Sequence, residues 1–210
     1  MSDINILLIF IIGSAMLTLQ FFKGRRINIV LMRTYLSEIE SILRIRDKEY
    51  TWIGGYVGFK AGYKIENPLF SLFEVSLILA PRQSLLYLPI SLLIFKGDRA
   101  FFLLTPRDGK ISSEVHLIRE DAFWFTPKIR RRGELRERSL SILGVNFKAL
   151  YESESSLDRL LRIFRKYKGD VRIVKHLALV PSTNRVYLHL KPRVGELKPF
   201  LKLILDDLEV

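Results

Sequence analysis

The first pattern along the chain is an uncharged apolar stretch at its start. Residues 4–22 carry no charged side chain, and Lys23, Arg25 and Arg26 follow directly. Nineteen helical residues at ~1.5 Å each are about as long as the hydrocarbon core of a bilayer is thick. We therefore predict a transmembrane anchor with a basic flank over residues 1–26.

Two alternatives explain this stretch less well. A cleaved secretory signal has a basic residue before its apolar run and small residues at its end, whereas only Asp3 precedes this run and Met16 and Leu17 continue it. A buried core helix is apolar along one stripe, whereas residues 6–12 are apolar all round. Because basic flanks stay on the cytoplasmic side, we predict a single-pass protein of the cell membrane with its N-terminus outside and its C-terminal domain in the cytoplasm.

After the anchor, the apolar positions recur at helical spacing. Met32, Leu36, Ile39 and Leu43 lie on one face, which predicts an amphipathic helix over 27–46 in a juxtamembrane segment 27–49. This helix is expected to pack on the following domain rather than to form a coiled coil, because its seam covers only about two heptads.

From Trp52 onward the period changes to two, which is typical of half-buried strands. Strands are predicted at 57–65 and at 73–79, joined by a turn at Asn67 and Pro68. The glycines at 54, 55, 58 and 62 match neither the dinucleotide fingerprint nor the P-loop, so a twisted or bulged strand explains them better than a nucleotide site.

Residues 84–95 form a second uncharged apolar stretch, which contains Pro89. Twelve residues are too few to cross a bilayer as a helix, so we predict one or two buried strands here. A dip into the membrane surface is the alternative. Further short strands are predicted at 100–104, 115–118, 122–126 and 141–151, which makes a β-meander of about seven strands.

The last part of the chain alternates helix and strand. A helix capped by Ser155 and stopped by Gly169 is followed by strands at 171–180 and 186–191 and by a helix over 196–208. The predicted fold class is therefore α+β: a single transmembrane helix, then a cytosolic β-meander that resembles a partly open barrel with packing helices, and a C-terminal ββα unit. The predicted boundaries are 50–168 for the β-rich domain closed by a helix and 169–210 for the ββα unit packed on it.

Composition favours an anionic partner, and a positively charged, solvated surface beside the membrane is the alternative. All 34 basic residues lie beyond residue 22, as do 21 of the 22 acidic residues, the exception being Asp3. The formal charge of the body is therefore 34 minus 21, or +13. Anionic lipid head groups and RNA are partners that suit this charge, and a protein partner in the membrane is also expected. The absence of cysteine excludes disulfides and thiolate metal sites, and the Lys- and Glu-rich, Cys-free composition is typical of thermophiles.

No sequence motif indicates catalysis. The three histidines fit no metal-binding spacing, no G-x-S-x-G elbow is present, and we predict no cofactor and no metal. If the last hairpin turns about Ser182 and Thr183, however, His176 faces His189 across the two strands. Such a pair is either two structural histidines or a weak metal or pH-sensitive contact.

The strongest candidate binding site is a basic segment over 128–138 together with the basic face of the helix after it. The predicted anion-binding residues are Lys128, Arg130, Arg131, Arg132, Arg136, Arg138, Arg159, Arg162 and Arg165. A solvated hairpin tip is the alternative for the segment. The sequence thus favours a membrane-anchored binding, adaptor or assembly protein. Recruitment of nucleic acid to the membrane and a membrane-bound enzyme with unrecognised residues are the alternatives.

Overall fold

The computed structural model describes residues 3–125, 129 and 132–208. Within these ranges the chain forms four α-helices and nine β-strands. The helices are α1 Asp3–Glu40, α2 Tyr87–Phe95, α3 Glu154–Lys166 and α4 Leu197–Asp207. The strands are β1 Ile45–Ile53, β2 Gly58–Ile65, β3 Phe70–Ile78, β4 Arg99–Pro106, β5 Val115–Arg119, β6 Arg136–Ile142, β7 Val145–Tyr151, β8 Val174–Val180 and β9 Arg185–Leu190.

α1 is one continuous helix across two segments that the sequence predicts separately. Its first half is exposed and is, among the described residues, the one helical stretch long and apolar enough to cross a membrane. Its second half buries Met32, Tyr35 and Ile39 in the core, on the predicted stripe. The predicted helix end at Arg46 was wrong, because β1 begins at Ile45 and pairs with β2 along its whole length.

The strands form one antiparallel sheet in the order β1-β2-β3-β4-β9-β8-β5-β7-β6. This confirms the α+β class, although the sheet is open and not closed into a barrel. The hairpin of the predicted ββα unit lies in the middle of the sheet, between β4 and β5. The core lies on one face, where alternate strand residues pack against α1, α3 and α4.

The prediction of buried strands over 84–95 was wrong. Residues 87–95 form α2, and most of its apolar side chains are exposed. Lys96, the residue that directly follows α2, caps the helix: it adopts a left-handed conformation (φ 54°) and donates its backbone N–H to the carbonyl of Leu92. A short apolar run has no periodicity that separates helix from strand, so the error concerned the type of element and its exposure.

Three smaller predictions also differ from the structure. The predicted strand 141–151 is the hairpin of β6 and β7, whose two-residue turn places Leu143 and Gly144 at positive φ (49° and 75°), as a type I′ turn requires. The predicted strand 122–126 is replaced by a 3₁₀ helix over Glu120–Phe125, with Thr126 outside the described residues. The cap of α3 is Ser153 rather than Ser155, because the Ser153 hydroxyl accepts the N–H of Ser156.

Candidate anion-binding cleft

The candidate site lies at one end of the sheet, here called the proximal end, where β4 and β8 begin and β5 and β9 end. Ala100 of β4 pairs with Leu190 of β9, and Leu190 pairs with Val174 of β8. Ile118 of β5 pairs with His176 of β8. Four strands from distant parts of the chain therefore bring their ends together.

The connection between β3 and β4 ties this end to α1. Asn28 is fully buried, and its side-chain amide donates to the carbonyls of Tyr56 and Ala80, both at 3.0 Å. Arg82 donates to the Asn28 oxygen at 3.0 Å and forms two hydrogen bonds with Asp98, at 3.0 and 2.8 Å. This network fixes the position of α2, which the same connection contains.

A cleft of about 150 Å³ opens between the end of α2 and the sheet. We call it the inner cleft; it is lined by Phe95, Lys96, Asp98, Arg99, Phe101, Asp121, Ala122, Lys175, His189 and Lys191. Its lysine and arginine side chains come from three separate segments of the chain, at residues 96–99, 175 and 191. Positive charge therefore converges here without any basic run in the sequence.

Both carboxylates of the inner cleft already have cationic partners. Asp98 is paired with Arg82, as described above. Asp121 accepts hydrogen bonds from Arg119 at 2.5 Å and from Lys175 at 2.8 Å. Although burial raises the pKa of Asp121, these hydrogen bonds hold it well below its usual value. Asp121 is therefore ionised, and both carboxylates are paired with cations of the protein.

Arg99 and Lys191 differ from these paired groups. Among the described residues neither side chain has a carboxylate partner, and the buried Arg99 Nε has no hydrogen-bond acceptor. The Arg99 guanidinium lies 4.3 Å from the centre of the Phe95 ring, and burial lowers the pKa of Arg99. Burying an unpaired donor is costly, and an anionic oxygen is the group that satisfies a guanidinium best.

The pKa of His189 is lowered in part by the positive charges around the cleft. Its ring stacks on Phe101 with the centroids 4.5 Å apart. Burial, followed by the charges of Arg99, Lys175 and Arg119, lowers the pKa of His189 to about 4. This histidine is therefore neutral at neutral pH, and its pKa is sensitive to any anion that enters the cleft.

A shallower depression of about 470 Å³ continues from the inner cleft. This outer groove is lined by Arg119, Glu120, Asp121, Gly144, Val145, Asn146, Arg172, Lys191 and Arg193. Arg172 and Arg193 both pair with Asp170, at 2.9 and 2.5 Å. Lys191 and Asp121 border both depressions, so the two form one basic surface along the proximal end.

A buried chain of three titratable side chains runs along the sheet from His176, which faces the cleft residue His189. Glu114 contacts His116 Nε2 at 3.0 Å, and His116 Nδ1 contacts His176 Nε2 at 3.0 Å. With an ionised Glu114, His116 donates from Nε2 and accepts at Nδ1, so His176 donates from Nε2 and its Nδ1 is an acceptor. Within the described ranges, that Nδ1 is buried without a hydrogen-bond partner. Burial lowers the pKa of both histidines.

The register of the last hairpin is the one derived from the sequence. His176 faces His189, Leu177 faces Leu188 and Leu179 faces Val186. The hydrogen-bond partner of His176 is nevertheless His116, a contact that no pattern in the sequence indicates. Only the placement of β5 beside β8 brings these two rings together. The described residues contain no group of three His, Asp or Glu side chains that could hold a metal ion.

The predicted basic residues that the structure describes lie outside the inner cleft and the outer groove. Lys128, Arg130 and Arg131 fall outside the described residues, and Arg132 begins a short 3₁₀ helix. Arg136 and Arg138 lie on the edge strand β6, where Arg138 pairs with Glu154 at 3.1 Å. Arg159, Arg162 and Arg165 lie on α3, which packs on the core face of the sheet. None of these described side chains lines the inner cleft or the outer groove.

The cationic residues of the cleft were missed because they are spread along the chain. Arg99, Lys175 and Lys191 each stand next to the end of a different strand. Their only sequence signal is a basic residue at a strand end, which is a common feature of any basic protein. Comparison with protein-family models and with curated proteins gives no match to this chain.

Proposed function

We propose that this chain is a single-pass, cytosol-facing membrane protein that binds an anionic, phosphate-bearing lipid head group in the inner cleft. The observation that carries the proposal is the pair Arg99 and Lys191, two cations in a concave site that have no carboxylate partner in the part of the chain that the structure describes. Arg binds phosphate through two parallel hydrogen bonds, and Lys adds a point charge. Such binding suits an adaptor or assembly protein that holds its body against the membrane.

The membrane anchoring rests on α1. Its apolar stretch is exposed and of spanning length, and the basic flank that follows it favours a cytosolic body. A retained anchor is favoured over a cleaved leader by one contact near the end of the stretch, where Gln20 Nε2 donates to the Arg82 carbonyl at 2.8 Å. Its end is therefore joined to the folded body.

A lipid head group is favoured over other anions because of where the cleft lies. Phe95 and Lys96, at the end of α2, form one wall of the cleft. The connection that contains α2 is bonded to α1 by Gln20, near the end of the apolar stretch, and by Asn28, just after the basic flank. A cleft next to the end of the apolar stretch faces the anionic surface of the cytoplasmic leaflet. Each Lys or Arg near that surface contributes ~1 kcal/mol to the free energy of binding.

Two observations bear on the alternative functions. Single-stranded nucleic acid needs exposed aromatic faces, yet in the cleft His189 covers one face of Phe101 and Arg99 covers one face of Phe95. An enzyme needs a reactive group within reach of substrate, and the Glu114, His116 and His176 chain is buried. Both alternatives therefore have less support than head-group binding.

The binding test uses the full chain in neutral detergent and short-chain lipids of equal chain length. Phosphatidic acid and phosphatidylglycerol should bind, and phosphatidylcholine should not. Changing both Arg99→Gln and Lys191→Gln should weaken the binding by tenfold or more, since a hydrogen bond to a charged group contributes ~1.5–3 kcal/mol and ~1.4 kcal/mol is tenfold in affinity.

The matched control removes the same charge from α4. Lys198 and Lys202 are exposed there, on the core face of the sheet away from the cleft, and the change of both to Gln should leave the affinity unchanged. Equal loss in the two double variants would mean that overall charge, rather than the cleft, attracts the lipid. Binding of RNA but not of lipid, with the same dependence on Arg99, would replace lipid by nucleic acid.

Topology is tested separately. Because the chain has no cysteine, Asp108→Cys in the exposed β4–β5 connection supplies a single labelling site. An impermeant maleimide should label it only after the membrane is opened. Labelling in intact cells would overturn the orientation.

A further inference from the structure

The unusual feature outside the cleft is the burial pattern of α2. Its one buried residue is Ser91, at 4% exposure, whereas Leu93 is 82% exposed and Leu86, which directly precedes the helix, is 78% exposed. Residues 83–95 contain no charged side chain. A helix that exposes leucine and buries serine is inverted relative to the surface helices of a soluble domain, and exposed apolar patches of this kind mark contact surfaces.

The position of this helix relative to α1 identifies its environment. Gly24 is the first buried residue of α1, and a Cβ at this position would overlap the carbonyl of Arg82. Gln20 bonds the same carbonyl at 2.8 Å. The start of the α2 connection is thus fixed beside the turn of α1 where the apolar stretch ends and the basic flank begins.

Both ends of the connection are held together. Arg82 before α2 and Asp98 after it form a bidentate pair, and Asp98 also accepts the backbone N–H of Ala80 at 2.8 Å. α2 is therefore not free to fold back and cover its apolar side chains against the body. Its nine residues are about 13 Å long, less than half of the bilayer core, so it cannot cross.

Aromatic and basic side chains lie near α2, at the same end of the sheet as the basic flank of α1. Arg25 of α1 lies 4.2 Å from the centre of the Tyr56 ring, in the β1–β2 turn, and Trp52 and Tyr87 are exposed. Lys23 and Arg26 are exposed nearby on α1. Tyr and Trp beside Lys and Arg are the composition of the membrane–water interface.

We infer that α2 is embedded in the cytoplasmic leaflet, with its exposed leucines and isoleucines among the lipid chains next to α1. A helix satisfies its own backbone hydrogen bonds, which lipid cannot supply, so this element is suited to that depth. The body is then held by two membrane contacts, a span and a surface helix, and its orientation on the bilayer is determined. This inference rests on the proposed membrane anchoring but not on head-group binding.

The test places a fluorophore at single cysteines in the full chain, reconstituted in vesicles with shallow or deep doxyl-lipid quenchers. The sites are Leu93→Cys on α2, Phe10→Cys in the middle of the apolar stretch and Asp108→Cys at the far end of the sheet. Position 93 should show blue-shifted emission and stronger quenching by the shallow quencher. Position 10 should respond more to the deep quencher, and position 108 to neither.

The outcomes separate the two proposals. Quenching at position 10 with an aqueous signal at position 93 overturns the α2 inference and leaves the anchor intact. An aqueous signal at position 10 overturns the anchor and the inference together. As a second variant, Leu86→Glu in the Leu93→Cys chain should reduce quenching at position 93 while a Phe10→Cys chain with the same change is unaffected; unchanged quenching would overturn the role of the apolar face.

Discussion

Gly24 of α1 lies directly against the backbone carbonyl of Arg82, so closely that no side chain fits between them. This contact joins the helix that carries the apolar stretch to the connection that carries α2. Glycine is required here for close approach rather than for its backbone freedom, because the residue lies within a regular helix.

Gly24→Ala should therefore destabilise the body. Backbone atoms cannot move aside as a flexible side chain can, so overpacking at this contact should lower the free energy of unfolding by about 1–3 kcal/mol. Thermal unfolding of the full chain in detergent measures the loss. Gly13→Ala is the matched control, because a Cβ at Gly13 meets no atom within 4 Å, and it should not destabilise the protein. Equal effects at the two positions would contradict the packing explanation.

Binding of an anion in the inner cleft should raise the pKa of His189. Burial lowers this pKa to about 4, and the charges of Arg99, Lys175 and Arg119 contribute to the shift. A phosphate group offsets those charges, so protonation of the imidazole becomes less costly. An NMR titration of the histidine ring protons with and without short-chain phosphatidic acid measures the change.

Phosphatidylcholine of the same chain length is the control for that titration and should leave the His189 pKa unchanged. Arg99→Gln should raise the pKa without any ligand, since it removes one of the three charges. A pKa that stays unchanged or falls when phosphatidic acid binds would place the lipid outside the cleft.

The stability of the protein should fall as the pH drops from about 7 to about 4. His189 has an ordinary pKa of 6.5 and a folded-state pKa of about 4, so between these values the unfolded chain binds the proton and the folded chain does not. Acid therefore favours unfolding; for His189 alone the shift corresponds to about 3 kcal/mol. The lowered pKa values of His116 and His176 act in the same direction.

Urea unfolding of the full chain in detergent at several pH values measures this dependence. His189→Gln should reduce the loss of stability between pH 6.5 and pH 4, because glutamine does not titrate. A slope identical to that of the unchanged protein would show that His189 is not protonated on unfolding in this range.

The basic segment 128–138 remains a prediction of its own. Reversing Arg130, Arg131 and Arg132 to Glu in the full chain, held in zwitterionic nanodiscs, should weaken binding to anionic vesicles or RNA. Binding of the unchanged protein should fall steeply with salt. The double change at Arg99 and Lys191 is the parallel variant. If only the double change at Arg99 and Lys191 weakens binding, the segment 128–138 is a solvated turn and not a binding site.

Much of the sheet follows from local patterns. The alternation in β2 places Phe59, Ala61 and Tyr63 in the core, as the sequence predicts, because neighbouring side chains on a strand point to opposite faces. The His176–His189 register follows in the same way from a short hairpin with apolar pairs on one face. These features depend on residues within about one strand and its neighbour.

The sequence by itself also determined the apolar stretch, the charge step after it and the basic balance of the body, because composition is independent of folding. Only the tertiary structure decided that residues 87–95 form an exposed helix, since its environment depends on the contact between Gly24 and Arg82, far apart in the chain. The inner cleft likewise depends on the order of strands in the sheet, which brings Arg99 beside Lys191. Local periodicity carries no information about pairing between distant segments, and that pairing is what assembles this site.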